Sequence, residues 1–177
     1  MKKIILTYGL IAGAIISGFM YATMPLWENG TINFDNGELV GYTTMVISLS
    51  LVFFGVKSCR DQYYGGSISF WQAFKVGLLI TLIASLMYAL SWEVAYRTVA
   101  SGFTEDLTQH YVEKAKSEAK DETELRVAMQ EIEQFNEWYK NPLLRFGMTL
   151  MEILPVGIVI TLISALLLRK KEVLPSN

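Results

Sequence analysis

The chain contains 177 residues, of which 52% are hydrophobic and 18% are charged, and its net charge is −2. So small a charge gives no reason to expect a nucleic-acid partner. The single cysteine, Cys59, cannot form an internal disulfide. The chain also has a single histidine, His110, and so lacks the two histidines of a His-Glu-x-x-His zinc site. We therefore expect no metal, no cofactor and no catalytic residues, and we predict that the protein is not an enzyme.

Long stretches without a charged residue predict membrane-spanning helices. A helix needs about 20 apolar residues to cross a hydrocarbon core about 30 Å thick. The uncharged stretches meet or approach that length, at residues 4–26, 39–56, 76–92 and 153–168. A soluble protein would have too little polar sequence left to cover four such helices. The sequence therefore predicts an all-α integral membrane four-helix bundle in the lipid bilayer, with spans at about 4–26, 39–56, 74–96 and 143–168.

The first stretch follows Met1-Lys2-Lys3, a start that also suits a cleaved signal peptide. Its apolar run is longer than the apolar region of an ordinary signal peptide, and no small-x-small cleavage site stands near its end. We therefore expect a retained first span.

The basic residues predict the orientation of the spans. The flanks with Lys2 and Lys3, with Lys57 and Arg60, and with residues 169–171 are basic, whereas the loop at residues 27–38 has three acids and no base. Basic flanks lie on the cytoplasmic side of a membrane. We expect both termini in the cytoplasm, the tail after the fourth span included, and residues 97–142 outside.

The outer segment is expected to be helical from residue 104 to 139, because it is rich in Glu, Lys, Ala and Gln and lacks Pro and Gly. Asp121 and Glu124 have the spacing of a capping box. This predicts a hairpin of two helices that meet near residues 120–123; one helix of about 35 residues is the alternative. The mixed charges suit either a solvated face packed on the bundle rim or a surface for a second copy or an envelope protein.

Glu152 is the candidate intramembrane polar site. It lies about 9 Å beyond Phe146, the expected membrane entry of the fourth span. A carboxylate at mid-span costs about 2.5–3.5 kcal/mol, and such residues usually face a bundle interior or a water cavity. Pro155 should bend the helix beside it and free the carbonyl of Met151, which suits a proton or cation site. Two structural alternatives are a protonated carboxyl that is hydrogen-bonded across the bundle and a contact with Arg145, two turns earlier.

Two further groups of residues predict contacts. Gly9, Gly13 and Ser17 form a small-residue ridge along which another helix, of this chain or of a second copy, can approach closely. Gln72 and Lys75 share a face at the start of the third span, after Ser67 and Ser69, either of which can cap it. That face is a candidate cytoplasmic contact with lipid headgroups or a partner.

Two segments carry a family resemblance. The first is GGSISFWQAFKVG at residues 65–77. The second begins with LPVG at residues 154–157, continues as an apolar run to residue 168 and is followed by Arg169-Lys170-Lys171. With four spans and a long insertion before the last, the chain resembles small bacterial membrane proteins grouped as domain of unknown function 4199. The resemblance implies residence in the bacterial inner (cytoplasmic) membrane, and it implies no activity, substrate or catalytic residue.

Two functional hypotheses follow. The first is a non-enzymatic structural or accessory membrane protein that acts through partners. The second is a small oligomeric transporter or ion-coupled subunit that uses Glu152 beside Pro155. An intramembrane cavity lined by Glu152 would favour the second hypothesis, and a dry, well-packed bundle would favour the first.

Overall fold

The protein is described here by a computed structural model that covers residues 1–169, and every regular element in that range is an α-helix. The all-α prediction is confirmed, and the tail from residue 170 onward lies outside the described residues. The helices are α1 (Lys2–Glu28), α2 (Phe34–Leu49), α3 (Leu51–Tyr63), α4 (Phe70–Thr98), α5 (Phe103–Glu118), α6 (Glu122–Lys140) and α7 (Pro142–Leu168).

Four helical segments are long and apolar enough to cross a bilayer, namely α1, α2 with α3, α4 and α7. Each has 27 to 30 residues, which corresponds to roughly 40–45 Å of helix at 1.5 Å per residue. The predicted four-span membrane architecture is therefore confirmed. Each helix is longer than its uncharged stretch, since its first and last turns also contain polar and charged residues.

Side-chain caps set several helix starts. Asn33, Ser69, Asp121 and Asn141 accept hydrogen bonds from amides in the first turns of α2, α4, α6 and α7. Such caps satisfy amides that have no partner within the helix. The predicted break between the outer helices is present, with Asp121 Oδ1 accepting from the Glu124 amide at 2.8 Å.

The second span differs from the single helix expected at residues 39–56. It runs from Phe34 to Tyr63 and is interrupted at Ser50, between α2 and α3. The Ser50 hydroxyl donates to the Ile47 carbonyl at 2.6 Å. Such a bond competes with the helical ladder and bends helices in apolar surroundings.

α4 lies at the centre of the bundle and packs along both α1 and α7. α3 packs against α1, α4 and α7, whereas α2 packs against α1 and α7 and stands away from α4. The break at Ser50 therefore separates a tightly packed half of the bundle, built on α3, from a looser half, built on α2.

Small residues and threonines close the packed half. A side chain at Gly77 would collide with Thr161, because its Cβ would lie 2.8 Å from Thr161 Cγ2. The hydroxyls of Thr81 and Thr161 lie 3.1 Å apart, and Thr81 also donates to the Gly157 carbonyl at 3.4 Å. These contacts hold α4 against α7 and leave each hydroxyl with a partner.

Helices α5 and α6 pack against each other as an antiparallel hairpin at the looser end of the bundle, which we call the hairpin end. Thr108 Oγ1 donates to Asn136 Oδ1 at 2.8 Å and joins the two helices. Phe103, at the start of α5, contacts Trp27, Trp92 and Tyr139, with ring centroids 5.1 to 6.5 Å apart. The hairpin thus covers the end of the bundle, and its position outside the bilayer stays a prediction of the sequence.

Candidate functional site

A cavity of about 900 Å³ lies in the looser half of the bundle, next to the hairpin end. Its walls come from α1, α2, α4 and α7, and the α5–α6 hairpin contributes the roof. The cavity exists because α2, beyond the break at Ser50, stands away from α4. We call it the hairpin-end cavity.

Glu152 lines this cavity. It is on α7, which begins at Pro142, and it therefore lies about 15 Å along the helix from that residue. Residue 152 is exposed within the chain, so protein leaves part of its side chain uncovered. Among residues 1–169, no side chain donates a hydrogen bond or forms an ion pair with it. The carboxyl is thus open to the cavity and to any molecule inside it.

The structure does not bring Arg145 to Glu152. Arg145 instead forms a bidentate ion pair with Glu93 of α4, with N–O distances of 2.8 and 2.7 Å. Arg145 Nη1 also donates to the Tyr139 carbonyl at 2.9 Å, and the guanidinium stacks on the Tyr96 ring at 3.8 Å. Glu93 also has an i,i+4 ion pair with Arg97, and its N–O distance is longer, at 3.8 Å.

This Arg145 network joins α4 and α7 to the end of α6. The Arg145 side chain is 3% exposed and that of Glu93 is 14% exposed, so both charges are largely removed from solvent. A buried ion pair is tolerated only when its remaining donors are also satisfied. Here the Tyr139 carbonyl and the Tyr96 ring satisfy the remaining donors of Arg145. Arg145 therefore organises the hairpin end and is unavailable as a partner for a ligand.

Among the charged side chains that line the hairpin-end cavity, the acids outnumber the bases. Five carboxylic acids line it, whereas Lys114 is the only lysine or arginine among the described lining residues; the acids are Glu28, Asp35, Glu38, Asp106 and Glu152. Because the walls carry an excess of negative charge, the electrostatic potential inside favours cations.

Aromatic side chains supply much of the remaining wall. They come from the spans and from the hairpin and include Trp27, Phe34, Tyr88, Trp92, Phe103 and Tyr139. Trp92 Nε1 donates to the Tyr139 hydroxyl at 2.9 Å, which fixes two of these rings. Burial raises the pKa of Tyr139 well above its usual value, against the opposing effect of this hydrogen bond, so the phenol stays neutral. The cavity thus combines an apolar, aromatic wall with a few polar groups.

The other predicted site residues lie elsewhere. Gly9 and Gly13 face α4 of the same chain, where an added Cβ would lie 2.8 Å from Ile83 and 2.9 Å from Met87. Ser17 is buried in the same helix, and its hydroxyl has no hydrogen-bond partner within the described chain. The small-residue ridge therefore makes an intramolecular contact.

The described lining of the cavity does not include Gln72, Lys75 or Pro155. Gln72 Oε1 accepts from the amide and the hydroxyl of Ser69, so this side chain completes the cap of α4. Lys75 is exposed. α7 is one continuous helix through Pro155, which lies on an exposed surface three residues beyond Glu152.

Sequence reasoning missed the residues of α2 and the hairpin that complete the cavity, among them Glu38, Asp106 and His110. Their acidic or aromatic character was visible, but nothing local in the sequence indicated that they share one cavity. Within residues 1–169, no group of three or more histidines, cysteines or acids lies close enough to hold a metal ion.

Comparison with known proteins identifies a family. The family model described as Protein of unknown function (DUF4199) matches residues 7–170, which is nearly the whole chain. No curated protein and no solved structure matches the chain. The chain belongs to the DUF4199 family of proteins of unknown function.

Proposed function

We propose that the protein is a non-enzymatic, solute-binding membrane protein of the transporter type. In this proposal a small solute occupies the hairpin-end cavity, and Glu152 provides its polar contact within the span. The observation that carries the proposal is the cavity of about 900 Å³ that reaches Glu152 between the spans. Small-molecule sites are typically apolar clefts of about 300–1,000 Å³ with a few convergent polar groups.

The unequal packing of the two halves of the bundle supports access from one end. The half built on α3 is closed by contacts such as the hydrogen bond between Thr81 and Thr161, whereas the half built on α2 contains the cavity. A transporter exposes its site to one side at a time, so a cavity in one half of the bundle and close packing in the other are the arrangement expected of one of its states. Four spans are few for a transporter, and we expect the transporting unit to be an oligomer.

A cavity-filling variant tests the proposed function. A Cβ at Gly41 would meet no atom within 4 Å, and Gly41 lines the cavity, so Gly41→Leu fills it without a clash. Gly18→Leu is the matched control, because Gly18 is equally open but lies outside the cavity. The probes are phenylpropylamine, phenylpropanol and phenylpropionate, which share a body and differ in charge.

A bound probe should raise the melting temperature of the protein in lipid nanodiscs by mass action. It should also change the fluorescence of the cavity tryptophans, Trp27 and Trp92. We expect saturable binding of at least one probe to the wild type and to Gly18→Leu, and loss of that binding in Gly41→Leu. If no probe distinguishes Gly41→Leu from Gly18→Leu, the cavity is not a binding site and the proposal is wrong.

An accessory role is the second candidate function. It is favoured by large apolar side chains that stay exposed on α6, namely Val127, Met129 and Trp138. Val127 and Trp138 are 11 positions apart and share one helix face, and exposed apolar surface often marks an interaction site. Photo-crosslinking from position 138 in native membranes tests this role. A single specific adduct, lost when Val127 and Met129 are changed to serine, would favour it; labelling of lipid alone would refute it.

A further inference from the structure

We propose that the solute is an organic cation with an apolar body, bound with its ammonium group at Glu152 and its body against the aromatic wall of the hairpin-end cavity. This inference rests on the proposed function, because it names the class of solute for the same cavity. Three properties of the cavity carry it: its charge, the unpaired carboxyl and the aromatic wall.

The charge of the cavity selects against anions. Five carboxylic acids line the cavity, and Lys114 is the sole lysine or arginine among the described lining residues. Arg145 lies nearby but is committed to Glu93. An anionic solute would therefore meet five acids and one lysine, whereas a cation would meet a largely complementary surface.

Glu152 is the group best placed to receive the charge. It lies within a span, it faces the cavity, and no donor from residues 1–169 reaches it. A carboxylate in a span is costly unless it is paired, and an ammonium group offers N–H donors and an opposite charge. A metal ion is a poorer occupant, since no group of three or more protein ligands is assembled within the described chain.

The aromatic wall suits the rest of such a solute. Trp27, Tyr88 and Trp92 line the cavity with Glu152. Aromatic faces attract cations held within about 6 Å, most strongly when water is excluded, and they also bury an apolar body. A cavity of about 900 Å³ has room for a solute much larger than a simple ammonium ion.

An organic ammonium group reaches a membrane cavity from two sources, a soluble amine or the headgroup of an aminophospholipid. Nanodiscs of phosphatidylglycerol alone supply no amine, whereas nanodiscs that also contain phosphatidylethanolamine do. If phosphatidylethanolamine displaces bound phenylpropylamine, the natural cation is a lipid headgroup; if it does not, the cation is a soluble amine.

The test measures the affinities of phenylpropylamine, phenylpropanol and phenylpropionate in phosphatidylglycerol nanodiscs at neutral pH. In the wild type, we expect the amine to bind at least about tenfold more tightly than the alcohol, and the propionate to bind least, because a hydrogen bond to a charged group outweighs a neutral one. Glu152→Gln should weaken amine binding about tenfold or more and leave alcohol binding unchanged. Glu131→Gln is the charge-matched control, since Glu131 is exposed on α6 outside the cavity, and it should have no effect.

The outcomes separate this inference from the proposed function. If the alcohol or the propionate binds most tightly in the wild type, and Gly41→Leu abolishes that binding, the cavity binds a solute but the inferred cation is wrong. If no probe is sensitive to Gly41→Leu, the proposed function fails as well. Anionic lipid itself attracts the amine and repels the propionate, so binding that remains in Gly41→Leu is subtracted first. The order of the remaining wild-type affinities decides the inference even if Glu152→Gln does not fold.

Discussion

Replacing Arg145 with methionine should destabilise the protein by about 3 kcal/mol, at the lower end of the range for breaking a buried ion pair by removing one partner. The variant leaves Glu93 largely buried and removes two N–O contacts of 2.7 and 2.8 Å. It also removes the hydrogen bond to the Tyr139 carbonyl. We expect the lower end of the range because Arg97 stays 3.8 Å from Glu93 and retains part of the compensation.

The free energy of unfolding can be measured by titration with sodium dodecyl sulfate in mixed micelles, followed by tryptophan fluorescence. Arg97→Met is the control: its side chain is 65% exposed, so it should cost less than about 1 kcal/mol. The double variant Glu93→Gln with Arg145→Met should cost clearly less than the sum of the two single variants, because it leaves no unpaired charge. A cost below 1 kcal/mol for Arg145→Met, or full additivity, would refute the reasoning.

The remaining predictions concern the packing of the bundle and the hairpin. Gly13→Leu should lower the free energy of unfolding by about 1–3 kcal/mol, because the leucine overpacks the site. Gly18→Leu meets open space and should be nearly neutral in the same titration. Equal losses in the two variants would contradict the α1–α4 contact. Thr81→Val should lower the free energy of unfolding by about 0.6 kcal/mol, the average for interhelical hydrogen bonds in membranes. Its effect should be coupled to that of Thr161→Val in a double-mutant cycle, and additive effects would contradict the contact. Raising the pH above about 10, the usual pKa of tyrosine, should destabilise the wild type more than Tyr139→Phe. The raised pKa keeps the Tyr139 phenol neutral in the folded state, whereas the phenol ionises in the unfolded state. Identical pH profiles of the two proteins in thermal unfolding would show that Tyr139 is not linked to folding.

The spans and the outer helices were predictable because their causes are local. An uncharged run of bilayer length identifies a span without knowledge of its neighbours. The break between α5 and α6 follows from Asp121 and Glu124, whose spacing favours a helix start. The ridge of Gly9 and Gly13 also predicted a close helix contact, although the sequence could not say that the partner is α4.

The cavity and the Arg145 network depend on distant residues and could not be predicted in the same way. Arg145 and Glu93 are 52 positions apart, so no local spacing relates them, whereas the i,i+4 spacing relates Glu93 to Arg97. The break at Ser50 was also missed, because a serine in an apolar run is compatible with an unbroken helix until its hydroxyl bonds to the Ile47 carbonyl. The cavity lies where α2 stands away from α4, a feature that depends on contacts between distant elements.

The most direct test of the central claim is the access of water to Glu152 from the hairpin end. In a Cys59→Ser background, Glu152→Cys and Met151→Cys are compared for reaction with a charged, membrane-impermeant methanethiosulfonate reagent applied from the hairpin side. Met151 is the adjacent residue and is 74% exposed, but it lies outside the cavity, and we expect its surface to face lipid. The account predicts that the cysteine at position 152 reacts and that the cysteine at position 151 does not. An unreactive cysteine at position 152, or equal reaction at both positions, would contradict a water-accessible cavity at Glu152.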